Sequence, residues 1–169
     1  MKTLATLLIV VGMLICAGRL IADSPLPRPS KSIVKSLDGA ITAISDPESS
    51  TTTVLRTATN QVLWQIPSWQ RWLFVANDGK HAVTGYGGIN LIPIEYDEKM
   101  VLFTFWNEGR KVREVSLIEF IPDKSILERT SSHYYWGIIE KIDEEDRLVV
   151  KRADETVFRF DLSTGRQIK

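Results

Sequence analysis

Turn signals recur along this sequence at intervals that only short strands can fill. Asp-Gly, or a cluster of Gly, Asn, Asp and Ser, returns every ~8–12 residues, with runs rich in Val, Ile, Thr and aromatics between. That rhythm leaves no room for helices of ordinary length and predicts an all-β chain. The segment 64–94 sits at its centre. Asn77-Asp78-Gly79 is a hairpin signal, because Gly accepts positive φ at no steric cost and Asp tolerates it. The run 72–76 before it is apolar on both faces, so it predicts a central strand covered on both sides, and 80–84 returns as its partner. A second turn at Gly85-Tyr86-Gly87-Gly88 leads to a short apolar strand at 89–92. These three strands are expected to form a consecutive antiparallel meander, anchored by Trp64, Trp69 and Trp72.

The flanking segments repeat the theme. Residues 32–37 and 40–45 bracket Asp38-Gly39 and predict another hairpin, and 46–50 is a polar loop. Residues 51–57 and 61–66 read as strands around a turn at 58–60, and 93–98 as an acidic loop or edge. Residues 100–106 alternate, with Val101, Phe103 and Phe105 on one face and Leu102, Thr104 and Trp106 on the other. Asn107-Glu108-Gly109 turns that strand into 111–115. Ser116 reads as the N-cap of a brief helix over 117–121, stopped by Pro122, and Asp123 as the cap of a further turn over 124–129. Strands at 136–142 and 147–152 flank the acidic turn 143–146. Residues 156–161 follow, with Phe158 and Phe160 on one face, and Ser163-Thr164-Gly165 turns into 166–168. The expectation is an antiparallel meander of short strands, packed as a sandwich or partial barrel, with one brief helical segment near 117–129.

The residues 158–168, FRFDLSTGRQI, resemble the outer-strand ending of a β-propeller blade of the WD or quinoprotein type, where an aromatic strand ends in Asp, turns on Gly and returns. The residues 103–112, FTFWNEGRKV, have the same shape. The resemblance implies blade-like sheets. About 137 residues at ~40–45 per blade make roughly three blades, fewer than the ~4–8 of a closed propeller. A partial propeller is therefore what it implies. The overall pattern also resembles small exported bacterial proteins of unknown function.

Export is read from the N-terminus. Lys2 precedes a charge-free, mainly apolar stretch at 4–17, the length of a signal-peptide core, with small residues at Ala17, Gly18 and Ala22. Residues 1–22 are thus expected to be a signal peptide, or an uncleaved membrane anchor over 4–22. Residues 23–31, DSPLPRPSK, carry three of the seven prolines and read as an extended linker. Residues 32–169 are expected to be a single all-β domain, secreted or periplasmic and touching a membrane only through the N-terminal segment. Cys16, the one cysteine, lies in the export segment, so the domain holds no thiol for catalysis, metal binding or a disulfide. Taking Lys2 and Arg19 from the 21 basic residues leaves 19 against 21 acidic, a net of −2 with no electrostatic pull toward nucleic acid.

His133 is the strongest candidate for chemistry. It stands among hydroxyls and rings in Ser131-Ser132-His133-Tyr134-Tyr135-Trp136, at the exit from the helical segment, where it is suited to act as a general base or to stack on a ligand. His81, after the hairpin turn, reads as an exposed strand residue. No Gly-x-Ser-x-Gly elbow and no paired-histidine metal spacing occurs. Residues 143–146 lack the alternating ligands and central Gly of a calcium loop and read as a solvated turn. Gly85-Tyr86-Gly87-Gly88 lies between strands, where it cannot cradle a phosphate. No metal and no cofactor is therefore expected. The reading is an exported, non-catalytic binding module whose aromatic patch of Tyr86, His133, Tyr134, Tyr135 and Trp136 takes a protein or envelope polymer. The alternatives are an envelope hydrolase using His133 and a structural domain completed by self-association.

Overall fold

A computed structural model describes residues 25–168. The expected export segment lies outside these residues, as do Asp23 and Ser24 of the linker. The described chain is all-β, with four antiparallel sheets that do not close into a barrel.

Three sheets are four-stranded antiparallel units of the blade type. The N-terminal sheet runs β1 (Ser32–Lys35), β2 (Ile41–Asp46), β3 (Thr51–Arg56) and β4 (Val62–Ile66) in simple order. The central sheet takes β5 (Leu73–Val75), β6 (His81–Gly85), β8 (Val101–Asn107) and β9 (Arg110–Ser116). The C-terminal sheet takes β12 (Gly137–Ile142), β13 (Arg147–Arg152), β14 (Val157–Asp161) and β15 (Gln167–Ile168). A small fourth sheet joins β7 (Leu91–Pro93), β11 (His133–Tyr135) and β10 (Glu128–Arg129), with β11 in the middle.

The three large sheets stack with the central one between the others. Leu73, Val75 and Ala82 of its one face join Ile41, Ala43, Val54, Trp64 and Ile66 of the N-terminal sheet in one apolar core. Val83, Phe103, Phe105 and Val115 of the other join Ile139, Leu148, Val150 and Phe160 of the C-terminal sheet in a second, larger core. The run 72–76 is apolar on both faces for this reason: Leu73 and Val75 serve one core while Phe74 packs on the other, although β5 is the edge strand of its sheet and not a central one.

The same contact recurs at both sheet junctions. Glu108 and Gly109 between β8 and β9 have φ of 47° and 78°, the positive values that a two-residue hairpin loop of type I′ requires. A Cβ at Gly109 would stand 2.6 Å from the Gln65 carbonyl oxygen of the N-terminal sheet. Gly165, between β14 and β15 with φ 66°, plays this part for the C-terminal sheet: a Cβ there would meet the Phe105 ring at 2.8 Å and Arg113 Cβ at 2.9 Å. The Arg113 guanidinium donates to the Gly165 carbonyl at 3.0 Å. Each following sheet thus lays its last hairpin directly on the sheet before it.

Ser116 caps α1 (Leu117–Phe120), accepting from the Glu119 amide at 3.4 Å, and α1 buries Leu117 and Phe120. Asp123 caps a single 3-10 turn, Lys124–Ile126, shorter than the sequence suggests because residues 128–129 pair as β10. Among the described residues no helix is long and apolar enough to cross a membrane.

One expectation is overturned. The strand after Gly85 does not complete a meander with β5 and β6. The partner of β6 is β8, in register Gly85 to Phe103 and Val83 to Phe105, and the Tyr86 amide prolongs the pairing by donating to the Leu102 carbonyl at 2.7 Å. The chain then leaves the sheet through Ile89, at φ 60°, and β7 pairs with β11 from 40 residues further on. The long aromatic strand β8 offers β6 a full-length partner and buries Phe103 and Phe105, which the three-residue β7 cannot match.

Candidate functional site

The small sheet positions the site. Pairing of β7 with β11 sets His133 opposite Pro93, Tyr134 opposite Ile92 and Tyr135 opposite Leu91. A tight turn holds the start of β11: the His133 amide donates to Thr130 Oγ1 at 3.1 Å, and the Thr130 amide donates to the His133 carbonyl at 3.0 Å. His133 Nδ1 and Ser132 Oγ lie 2.9 Å apart. The histidine therefore stands on a strand, not in the loop its setting suggests, because β7 arrives to pair with it.

Tyr86 comes to the same place from the other direction. Its carbonyl accepts from the Ile89 amide at 2.8 Å, closing the turn beyond β6, and its half-buried ring packs on the larger core. Tyr86 and His133 then line one open groove of about 350 Å³, together with Pro25, Leu26, Gly88, Leu91, Pro93 and Ser132. Among the described residues the lining mixes apolar side chains with two hydroxyls and one imidazole and contains no Lys, Arg, Asp or Glu.

The other three aromatic candidates are placed differently. Tyr134 is half-buried beside the groove, edge-on to Tyr96 at 5.9 Å and under the Arg129 guanidinium at 5.7 Å. Tyr135 is also half-buried; burial pushes its phenol above the usual tyrosine range, against the opposing charge of Lys151. Trp136 is fully buried. Its indole N–H donates to the Ile89 carbonyl at 2.8 Å, and its ring packs against Trp72 and Phe120 at 6.1 and 6.0 Å. A tryptophan that follows two half-exposed tyrosines looks like part of one patch in sequence. The chain bends between β11 and β12 and turns this ring into the core.

Two further residues differ from their sequence reading. His81 is not an exposed strand residue: its side chain is only 15% exposed, and Nδ1 meets Asp78 Oδ2 at 2.6 Å across the hairpin turn. Asp78 also accepts from the Lys80 and His81 amides, and these bonds hold its carboxyl below the usual range although burial pushes the other way. The linker does not hang free. The Arg71 guanidinium donates to the Pro27 carbonyl at 2.8 Å and the Trp69 indole to the Ser30 carbonyl at 3.1 Å, so Pro25 and Leu26 become one wall of the groove. Neither Trp69 nor Arg71 stands out in the sequence as a ligand of the neck. The only available signal is a Trp-x-Arg pair of side-chain donors in a chain whose prolines offer only carbonyls.

The acidic turn 143–146 is a closed structure. Asp143 accepts from the Glu145 and Arg147 amides at 3.1 and 3.0 Å and from the Arg147 guanidinium at 2.9 Å. Among the described residues no three of His, Cys, Asp and Glu converge as metal ligands would.

No family model and no curated protein matches this chain. Similar solved structures include hydrazine synthase of Kuenenia stuttgartiensis, at 19% identity and a TM-score of 0.41, covering 81% of this chain and 35% of that one. They also include the WD40 repeats of RRP9, at 10% identity and a TM-score of 0.44, covering 86% of this chain and 39% of that one. The chain thus spans less than half the length of either. At these scores the likenesses carry no argument about function, and the blade-like architecture rests on the sheets themselves.

Proposed function

We propose that this chain is an exported, non-catalytic binding module that captures an extended, uncharged peptide segment of a partner protein in the groove at Tyr86 and His133. The observation that carries the reading is the lining of that groove. Two residues 47 positions apart meet there among proline and leucine side chains, and none of the described lining residues carries a fixed charge. A charged ligand group buried against these described residues would find no counter-ion among them, at a cost of several kcal/mol, whereas apolar side chains and hydroxyls would be satisfied. One wall, Pro25 and Leu26, is itself a piece of peptide outside any regular element. Export is inferred from the apolar stretch at 4–17.

The test is selection of random displayed peptides on the immobilised full chain, followed by titration calorimetry of the winners against Tyr86→Ala and His133→Ala. Winners should be uncharged and apolar at their centre, and Tyr86→Ala should weaken them about tenfold, as loss of a tyrosine anchor does. Winners that bind both variants as tightly as the parent would remove the groove from the function. Capture of a neutral glycan in place of peptides would reassign the ligand class.

A second reading is favoured by a different observation, the repeated hairpin contact of Gly109 and Gly165. In the N-terminal sheet the equivalent turn, at 57–61 with Asn60 at φ 55°, has no earlier sheet of the described chain to rest on. The C-terminal sheet leaves Val157 and Ile168 exposed on its outer side. A second copy docked end to end would repeat the contact and bring three blades to six, within the ~4–8 range of closed propellers. Size-exclusion chromatography with light scattering decides it, and a strict monomer ends it.

A further inference from the structure

The neck, residues 25–31, has no regular secondary structure, yet its backbone is closely restricted. Pro25, Pro27 and Pro29 each have φ near −65°, and the residue before each proline is confined to the extended region. Every described residue from 25 to 29 is one or the other. Such a run favours the polyproline II conformation, and a chain biased toward it loses little entropy when it docks. Its prolines have no N–H, so a surface that reads this backbone must donate to carbonyls.

Trp69 and Arg71 supply that pattern. Their side chains donate to the carbonyls of Ser30 and Pro27, at 3.1 and 2.8 Å. Those carbonyls are three residues apart, the spacing of one polyproline II turn, and both are met by this one pair of side chains. The guanidinium stacks on the indole at 5.0 Å, which braces the two donors against each other. Lys31 pairs with Asp46 at 3.2 Å and fixes the end of the neck where β1 begins.

We propose that Trp69 and Arg71 form a polyproline-reading clamp whose resident ligand is the chain's own neck. In holding Pro25 and Leu26 against Tyr86 and His133, the clamp sets the width of the groove. A proline-rich segment offered from outside competes for the same two donors. The inference goes beyond the groove reading and does not depend on it, because neither clamp residue lines the groove and the test needs no groove ligand.

The test is limited trypsin digestion of the full chain. Trypsin spares the Arg28–Pro29 bond, so release of the neck is read at Lys31–Ser32. In Trp69→Phe/Arg71→Met, which keeps bulk but removes both donors, cleavage there should rise about tenfold, the expected effect of losing one or two modest hydrogen bonds. The thermal midpoint, read by circular dichroism, should be unchanged. The free peptide acetyl-SPLPRPS-amide, added at tenfold the ~mM effective concentration of a short tethered ligand, should speed cleavage of the parent and leave the double variant unaffected. A double variant cleaved no faster than the parent, or a peptide without effect on the parent, overturns the proposal.

Discussion

Replacing Phe103 by alanine strikes the junction that holds the C-terminal half of the chain to the centre. Phe103 is fully buried and meets three rings edge to face: Phe105 at 5.9 Å, Phe120 at 5.6 Å and Phe160 at 5.2 Å. Phe120 comes from α1 and Phe160 from β14, so one side chain bridges three elements. Removing a buried phenyl ring costs about 3–5 kcal/mol in transfer and cavity terms. Edge-to-face pairs add ~0.5–1.5 kcal/mol each beyond area burial, which keeps the expectation away from the lower end of that range, at about 4 kcal/mol. Against a total stability of ~5–15 kcal/mol the variant should still fold, with a melting midpoint about 8–16 °C lower. Urea unfolding followed by tryptophan fluorescence measures the loss, with Ile33→Ala as control. Ile33 is 62% exposed on the outer side of the N-terminal sheet, and its loss should stay within ~0.5 kcal/mol. A Phe103→Ala loss below ~1.5 kcal/mol would refute the claim that the two sheets share one packed interior.

Two further predictions follow from turns. Gly39 and Gly165 both have positive φ, but a Cβ at Gly39 meets nothing within 4 Å whereas one at Gly165 meets Phe105 and Arg113. Gly39→Ala should therefore cost only the conformational penalty of ~1 kcal/mol, and Gly165→Ala about 2–3 kcal/mol, in the same urea assay; equal losses would show that the hairpin does not bear on the neighbouring sheet. Asp161 accepts from the Thr164 and Ser163 hydroxyls and the Thr164 amide, and these bonds hold its carboxyl below the usual range against a smaller push from burial. Its folded pKa is lowered, so its contribution is present above the unfolded value of ~3.9 and lost as pH falls through the lowered one. Asp161→Asn should cost about 1 kcal/mol at pH 6 and converge on the parent at the acid end of a pH series of melting midpoints, whereas a gap that widens on acidification would reverse the sign of the argument.

The parts of the fold legible in the sequence are those that depend on near neighbours. Asp38-Gly39 and Asp78-Gly79 turn where they do because glycine alone takes φ of 74° and 69° without strain. Ser116 and Pro122 bound α1 for equally local reasons. Phe158 and Phe160 share a face because strand side chains alternate with period two. The candidate site was legible in its members more than in its arrangement. Tyr86 and His133 could be picked out as ring and imidazole near turns, but their meeting depends on β7 leaving the central sheet to pair with β11, a choice made by competition between β7 and β8 for the edge of β6.

Period and turn chemistry, written within a few residues, determined that this chain makes short antiparallel strands in blade-like groups with one turn of helix. Tertiary structure alone decided that Trp136 lies inside while Tyr134 and Tyr135 remain half-exposed, and that the neck is held by Trp69 and Arg71. Each of these joins groups whose free energy of contact depends on burial and geometry set by other strands. Local propensity carries no term for a partner 40 residues away.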